Sequence, residues 1–338
     1  METRFTDNKQ FSECNISFVG LGKLGHIAAE TLATPHNSAE KHTLFTYDID
    51  PKKGQDMKNP MDNVTRCESL EHCIRGSAKK NIIGGRDVVF IAVQTPHDEA
   101  YDGREPTSHL PPKDFNYDHI KKAVADVDAL VDEGTVIAVI STMLPGTVRE
   151  HIAPLVKRGR FVYNPYLIAM GTVAWDMVNP EMVMIGTKDG SETGDAKELI
   201  DFYKTIMQNE PRYVVGTWDE CECIKVFYNT FISAKVSLVN MIQDVAEKQG
   251  NINAEVVCDA LASSDRRIMG PGYMKPGMGD GGACHPRDNI ALRYMAEAFQ
   301  SGQIKLARPM VDRMFDEDDY ENRRRHRNKA KFGFVGAR

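Results

Sequence analysis

An α/β fold is predicted by the sequence: a doubly wound parallel sheet followed by a helical region with a long central helix. Three observations carry that reading. Short apolar runs rich in β-branched residues alternate with segments of helical character through the first part of the chain. The first run ends in Gly20-Leu21-Gly22-Lys23-Leu24-Gly25, a glycine-rich turn set between a strand and a helix. From about Trp218 the alternation gives way to one uninterrupted amphipathic stretch.

At 338 residues the chain has room for two domains, each with its own core. A net charge of −6 argues against nucleic acid or an anionic membrane as partner. No apolar run approaches the roughly 18 residues that a bilayer span requires. The start, METRFTDNKQFSEC, has no apolar core of the signal-peptide kind, so a cytoplasmic location is expected. The seven cysteines (Cys14, Cys67, Cys73, Cys221, Cys223, Cys258 and Cys284) are odd in number and lack paired spacing. Reduced, individual thiols follow, and Cys221 and Cys223 read as helix positions rather than as half of a metal site. No metal is expected.

The first strand is ISFVG, residues 16–20, and HIAAETLA supplies the amphipathic helix after the glycine turn. A lone G-x-G-x-x-G is weak evidence, but this one has the strand before it and the helix after it that pyrophosphate binding demands. Gly20, Gly22, Lys23, Leu24 and Gly25 are therefore cofactor-binding candidates in a Rossmann-type fold. The next strand, HTLFTYD, ends in Asp48, about twenty residues beyond the last glycine. A carboxylate there accepts from ribose hydroxyls and repels a 2′-phosphate, which favours NAD over NADP. Further strands are read at 87–93, 135–140, 160–163 and 182–186, with a helix over 116–133. Strand-end turns bring Val93 and Thr95, then Ser141 and Thr142, to the cofactor cleft. The stretch 97–114 reads as a long surface loop with His97 and His109 solvated.

ECECIKVFYNTFISAKVSLVNMIQDVAEKQG reads as one long helix closed by Gly250, and it is the candidate homodimer interface. Lys225 and Asn229 lie four apart on it, either as surface residues or as two donors into one pocket. The loop after it holds GDGGACHPRDN, in which Cys284 follows two glycines and stands beside His285. Small neighbours let a substrate approach such a thiol, and nearby cations raise its thiolate fraction. The charged stretch DEDDYENRRRHRNKAK reads as a solvated terminus, with phosphate binding the lesser reading. The expected organisation is a cofactor domain over 1–215, a helical active-site and dimerisation domain over 216–300, and a charged tail over 301–338.

Taken together, GLGKLG, VQTP, STMLPGT, NPYLIAMG, the Lys-x-x-x-Asn pair and GGACHPRD resemble the UDP-glucose/GDP-mannose dehydrogenase family. The cysteine of the last motif separates that family from the related β-hydroxyacid dehydrogenases. What the resemblance implies is oxidation of a primary alcohol on a nucleotide sugar to a carboxylate with two NAD in succession. It implies that Cys284 forms a thiohemiacetal and then a thioester, and that Lys225 and Asn229 donate to the oxyanions. It further implies that Asp288 and Thr142 manage the alcohol proton through a water, and that Arg287 stands near the cofactor. Tyr166, Lys225, Asn229 and Gly282 are the implied substrate contacts.

Two departures bear on function. The family's N-P-E-F-L-x-E-G aligns with Asn164 to Gly171, and Tyr166 and Met170 replace its two glutamates. A phenol with an ordinary pKa of about 10 is a poor base for hydrolysing a thioester. The family also continues into a further nucleotide-binding domain, which the sequence here does not include. A smaller substrate, a partner supplying that half, or grip by a dimer and the tail would follow. The favoured reading is a UDP-glucose 6-dehydrogenase-like enzyme. Its alternatives are a two-electron dehydrogenase on a smaller alcohol or β-hydroxy acid, and an NAD-binding homologue without turnover.

Overall fold

The computed structural model describes residues 15–34, 42–55, 63–76, 87–96, 98–101, 110–169, 171–274, 276, 287–289 and 291–292. The proposed nucleophile Cys284, Gly282, Met170, His97, His109 and the tail 301–338 lie outside the described residues. The chain divides into two compact units, residues 1–229 and 230–338.

In the first unit, β1 (Asn15–Val19), β2 (Thr43–Tyr47), β4 (Val88–Ile91), β5 (Val136–Val139), β6 (Arg160–Tyr163) and β7 (Met182–Thr187) form where the apolar runs stand. β3 (Val64–Arg66) and β8 (Arg212–Thr217) complete one eight-stranded sheet in the order β3-β2-β1-β4-β5-β6-β7-β8. β4 and β5 are buried at every position, as central strands covered on both faces must be. Side chains alternate between the faces. Phe18, Phe90 and Ala138 pack on one side with α1 (Gly25–Leu32), α4 (Val173–Val178) and α5 (Asp195–Lys204). Val19, Val89, Ile137 and Val139 pack on the other with α2 (Leu70–Arg75) and α3 (Asp118–Asp128).

All pairings are parallel except β6 with β7, where Tyr163 faces Gly186 in an antiparallel register. Strands alternating with helices predict a wholly parallel sheet, and the β6–β7 pair departs from it. Between these strands lies only α4, six residues long, which rises about 9 Å. β7 starts past the carboxyl end of β6 and runs back toward it, so that Gly186, near the end of β7, pairs with Tyr163. The reversal of strand order between β1 and β4 leaves the crevice at their carboxyl ends in which such sheets bind ligands.

Helix α6 (Trp218–Gln249) has 32 residues, and its first turns belong to the first unit. Gly250 closes it with φ +70°. In the second unit α7 (Ala254–Ala262) starts at Asn253, whose side chain accepts from the amides of Glu255 and Val256. No helix among the described residues is long and apolar enough to cross a membrane.

Candidate functional site

The three glycines of the first turn do different work. Gly20 has φ +100°, and a Cβ there would lie 2.7 Å from the Ala92 carbonyl oxygen. A Cβ on Gly25 would lie 2.0 Å from the Gly20 oxygen. Both are therefore needed to seat α1 against β1 and β4. At Gly22 the nearest atom to such a Cβ is Gln94 Nε2 at 3.8 Å, so nothing in the protein forbids a side chain there. What Gly22 preserves is open space before the N-terminus of α1. That helix carries no acidic residue in its first turn and no capping side chain. This arrangement leaves the positive helix end to an anion.

Asp48 is held at the end of β2 with its Oδ2 accepting from the Leu21 amide at 2.6 Å and its Oδ1 from the Asp50 amide at 2.8 Å. An ionised carboxylate accepts about four hydrogen bonds, so capacity remains for two hydroxyls. The strand-end turns are cross-linked. Ser141 Oγ donates to the Val93 carbonyl at 2.5 Å, and Thr95 Oγ1 donates to the Thr142 carbonyl at 2.8 Å.

These turns enclose a cavity of about 320 Å³. Of the residues singled out by sequence, Gly22, Lys23, Leu24, Gly25, Val93, Thr95, Ser141, Thr142, Tyr166 and Lys225 line it together. Gly20 lies behind the lining, against Ala92. Asn229 is exposed and is not among the lining residues. Arg287 and Asp288 belong to the second unit, where they are exposed and pair with each other at 2.7 Å. Phe18, Ala28, Ala92, Gln94, Ile140 and Ile168 complete the wall. Gln94 and Ile168 stand inside the VQTP and NPYLIAMG motifs, and the others flank the turns.

Lys225 Nζ donates to the backbone carbonyl of Tyr166 at 2.7 Å. Burial lowers its pKa from the usual lysine value. The Tyr166 hydroxyl takes no part in that contact. It bonds to Tyr203 Oη at 2.7 Å, and Tyr203 donates to Asn164 Oδ1 at 2.5 Å. Asn164 Nδ2 donates to the Met184 carbonyl at 2.7 Å, which fixes the amide's orientation. Since the one proton of Tyr203 goes to Asn164, Tyr166 is the donor in the tyrosine pair. Burial raises the pKa of both phenols. At the strand end where the family pattern places a glutamate, the structure therefore offers a carbonyl and a ring, with the hydroxyl turned into the core.

Cys221 and Cys223 are free thiols in the first turns of α6, and burial pushes Cys221 up to about 12. Among the described residues no three His, Cys, Asp or Glu converge as a metal site would need.

A doubly wound sheet with an open glycine turn, an uncapped helix end and a ribose-ready carboxylate defines a dinucleotide-binding protein. The chain belongs to the UDP-glucose/GDP-mannose dehydrogenase family: residues 14–207 match its NAD binding domain and residues 219–311 its central domain. The cofactor is NAD, which fits the space before Gly22, the end of α1 and Asp48. Among its relatives is a UDP-glucose 6-dehydrogenase of Bacillus subtilis, 27% identical over 304 residues that cover 83% of this chain and 62% of that protein. Another is the GDP-mannose 6-dehydrogenase of Pseudomonas aeruginosa, 26% identical over 88% of this chain and 66% of that protein. The chain thus spans less than two thirds of the length of these curated relatives. Among solved structures, the fold matches a ternary complex of GDP-mannose dehydrogenase from Pseudomonas aeruginosa with TM-score 0.72. That match is at 22% identity and covers 90% of this chain and 68% of the other. A UDP-glucose dehydrogenase from Pyrobaculum islandicum matches with TM-score 0.61 at 21% identity, over 93% of this chain and 70% of the other.

Proposed function

We propose that the chain oxidises a primary alcohol on a sugar or nucleotide sugar to the carboxylate, through a thiohemiacetal and then a thioester on Cys284. The observation that carries this reading is that the Lys225 helix position reaches the same cavity onto which Gly22 opens. A proton-donating group and the cofactor cleft are thereby joined in one space. Bound NAD supplies the electron acceptor for each oxidation. Gly22, the α1 N-terminus and Asp48 hold it, and the cross-linked turns at Val93, Thr95, Ser141 and Thr142 form the wall beside it.

Within that frame Lys225 and Asn229 donate to the oxyanion at each tetrahedral stage. Thr142 and Asp288 orient the water that takes the alcohol proton. Cys284 adds its sulfur to the aldehyde carbon, and water later cleaves the thioester. The assignments of Cys284, Gly282, Asn229, Asp288 and Arg287 rest on the motifs Lys-x-x-x-Asn and GGACHPRD. The test is incubation of the purified chain and NAD with nucleotide sugars, sugar phosphates and hydroxy acids, followed by mass analysis of the product. The acid from wild type and the aldehyde from Cys284→Ser support the reading. Acid from both variants contradicts it.

One observation favours a second reading. The Tyr166 hydroxyl is engaged with Tyr203, so that strand end presents no base for thioester hydrolysis. A two-electron dehydrogenase on a smaller alcohol or β-hydroxy acid needs none.

The functional unit in both readings is a homodimer through α6. In the second unit α6 exposes Phe231, Ile232, Val236, Leu238 and Val239, and α7 exposes Val256 at 64%. Apolar side chains in such density along a helix call for a partner. Light scattering is expected to give twice the mass of 37.8 kDa, and a monomer overturns the dimer.

A further inference from the structure

Glu222 takes no part in the chemistry above, yet its placement is costly. The side chain is fully buried, where an ionised carboxylate is expensive unless well hydrogen-bonded. Its Oε2 accepts from the Gly146 amide at 2.7 Å and its Oε1 from the Val148 amide at 2.8 Å. Both amides belong to the turn that follows Ser141 and Thr142 and opens the helical turn Val148–Ile152. Gly146 sits there at φ +92°, so the turn has a special backbone shape to keep.

Glu222 precedes Lys225 by three residues, so the two share a face of α6. Lys225 is bound to the Tyr166 carbonyl at the end of β6, while Glu222 is bound to the turn at the end of β5. One helical turn is thus tied to both strand ends that wall the cavity. Ser141 and Thr142 have separate anchors in Val93 and Thr95. What Glu222 adds is the relation between their turn and the helix of Lys225.

We propose that Glu222 is a positioning residue whose carboxylate keeps Thr142 and Lys225 in register for the dehydrogenase reaction. This inference rests on the dehydrogenase reading given above. Burial, opposed by the two amide bonds, raises the Glu222 pKa to about 7. The groups facing it are Asp219 and Cys221 on α6, Arg149 from the helical turn and Tyr163 from β6. Arg149 is itself engaged with Asp219 at 3.1 Å and with Glu150 at 3.2 Å. The carboxyl, once protonated, turns one acceptor oxygen into a hydroxyl and loses one of its amide bonds. Both amide bonds are thus made in full only by the carboxylate, above pH 7, while the raised pKa means that closing the turn over a neutral carboxyl is the less costly state, so opening does not become easier as pH falls.

The experiment compares wild type with Glu222→Gln for NADH formation between pH 5.5 and 9, for NAD affinity by calorimetry, and for amide exchange of peptide 141–152. At pH 8.5 the variant is expected to lose about 10- to 100-fold in kcat, as small misplacements of reacting groups do. NAD affinity is expected to stay within about threefold, since the cofactor wall has its own anchors, and the acid limb of the wild-type kcat profile near pH 7 flattens. Exchange over 141–152 differs between the variant and wild type at pH 8.5, where only the wild type carries the carboxylate, and matches at pH 5.5. Unchanged kcat and exchange at every pH overturn the proposal. So does a kcat loss matched by equal losses of NAD affinity and melting temperature, which marks a merely structural role. Should the variant not fold, the wild type alone decides: a kcat profile with no acid limb near pH 7 overturns the proposal. A wild type that forms no NADH from any substrate sinks the dehydrogenase reading and this inference together, whereas an active wild type with an unaffected variant sinks this one alone.

Discussion

Lys225 reaches the backbone carbonyl of Tyr166, not its hydroxyl, at 2.7 Å. The contact places an ammonium in the cofactor cavity through an atom that any residue at position 166 would supply. It also explains how the site keeps its lysine in place without the glutamates of the family pattern. Lys225→Met is expected to lower turnover about 10²–10³-fold, the usual effect of removing one oxyanion donor. It should also raise the melting temperature slightly, because the buried ammonium no longer has to be desolvated. The sign follows from the lowered pKa: the charged form is disfavoured in the fold, so the cost is present below the folded pKa. It disappears as pH rises to the unfolded value of about 10.4. A variant with wild-type turnover would remove Lys225 from the chemistry.

The glycines separate fold from ligand. Gly25→Ala puts a methyl 2.0 Å from the Gly20 oxygen and is expected to cost about 1–3 kcal/mol or more in stability, read by denaturant unfolding. Gly22→Ala meets nothing nearer than 3.8 Å and should unfold like wild type. Its NAD affinity should fall about tenfold, which corresponds to 1.4 kcal/mol. If Gly22→Ala binds NAD normally, the cofactor does not approach this turn.

Tyr166→Phe removes a hydroxyl that serves the core. A stability loss of about 0.5–1.5 kcal/mol is expected, with kcat unchanged across neutral pH, since the phenol is no base there. Tyr203→Phe should cost more, about 1–3 kcal/mol, because it leaves the buried Asn164 Oδ1 without its donor. An altered neutral-pH profile in Tyr166→Phe would return that hydroxyl to the mechanism.

Much of this molecule is legible in its sequence, for identifiable reasons. β4 and β5 are apolar at every position because both of their faces are covered, and such runs are hard to mistake. β3 has three residues, and β8 is only partly buried, so neither carries a strong pattern. The antiparallel return of β7 is hidden because an apolar run has no direction. At the site, the glycine turn announces itself by its spacing between a strand and a helix. The partners of Tyr166 do not: Tyr203 lies 37 residues away and is brought in by α5 packing on the sheet. Glu222 is masked in another way, since a glutamate near a helix start ordinarily reads as a solvated charge. Only its burial against the Gly146 turn distinguishes it.

Counting NADH decides whether this cavity and Cys284 carry an alcohol through to an acid. With substrate limiting and NAD in excess, the reaction is run to completion and NADH is compared with substrate consumed. Two NADH per substrate are expected in wild type and one in Cys284→Ser. One NADH per substrate in both proteins would contradict oxidation to the acid and leave the two-electron dehydrogenase.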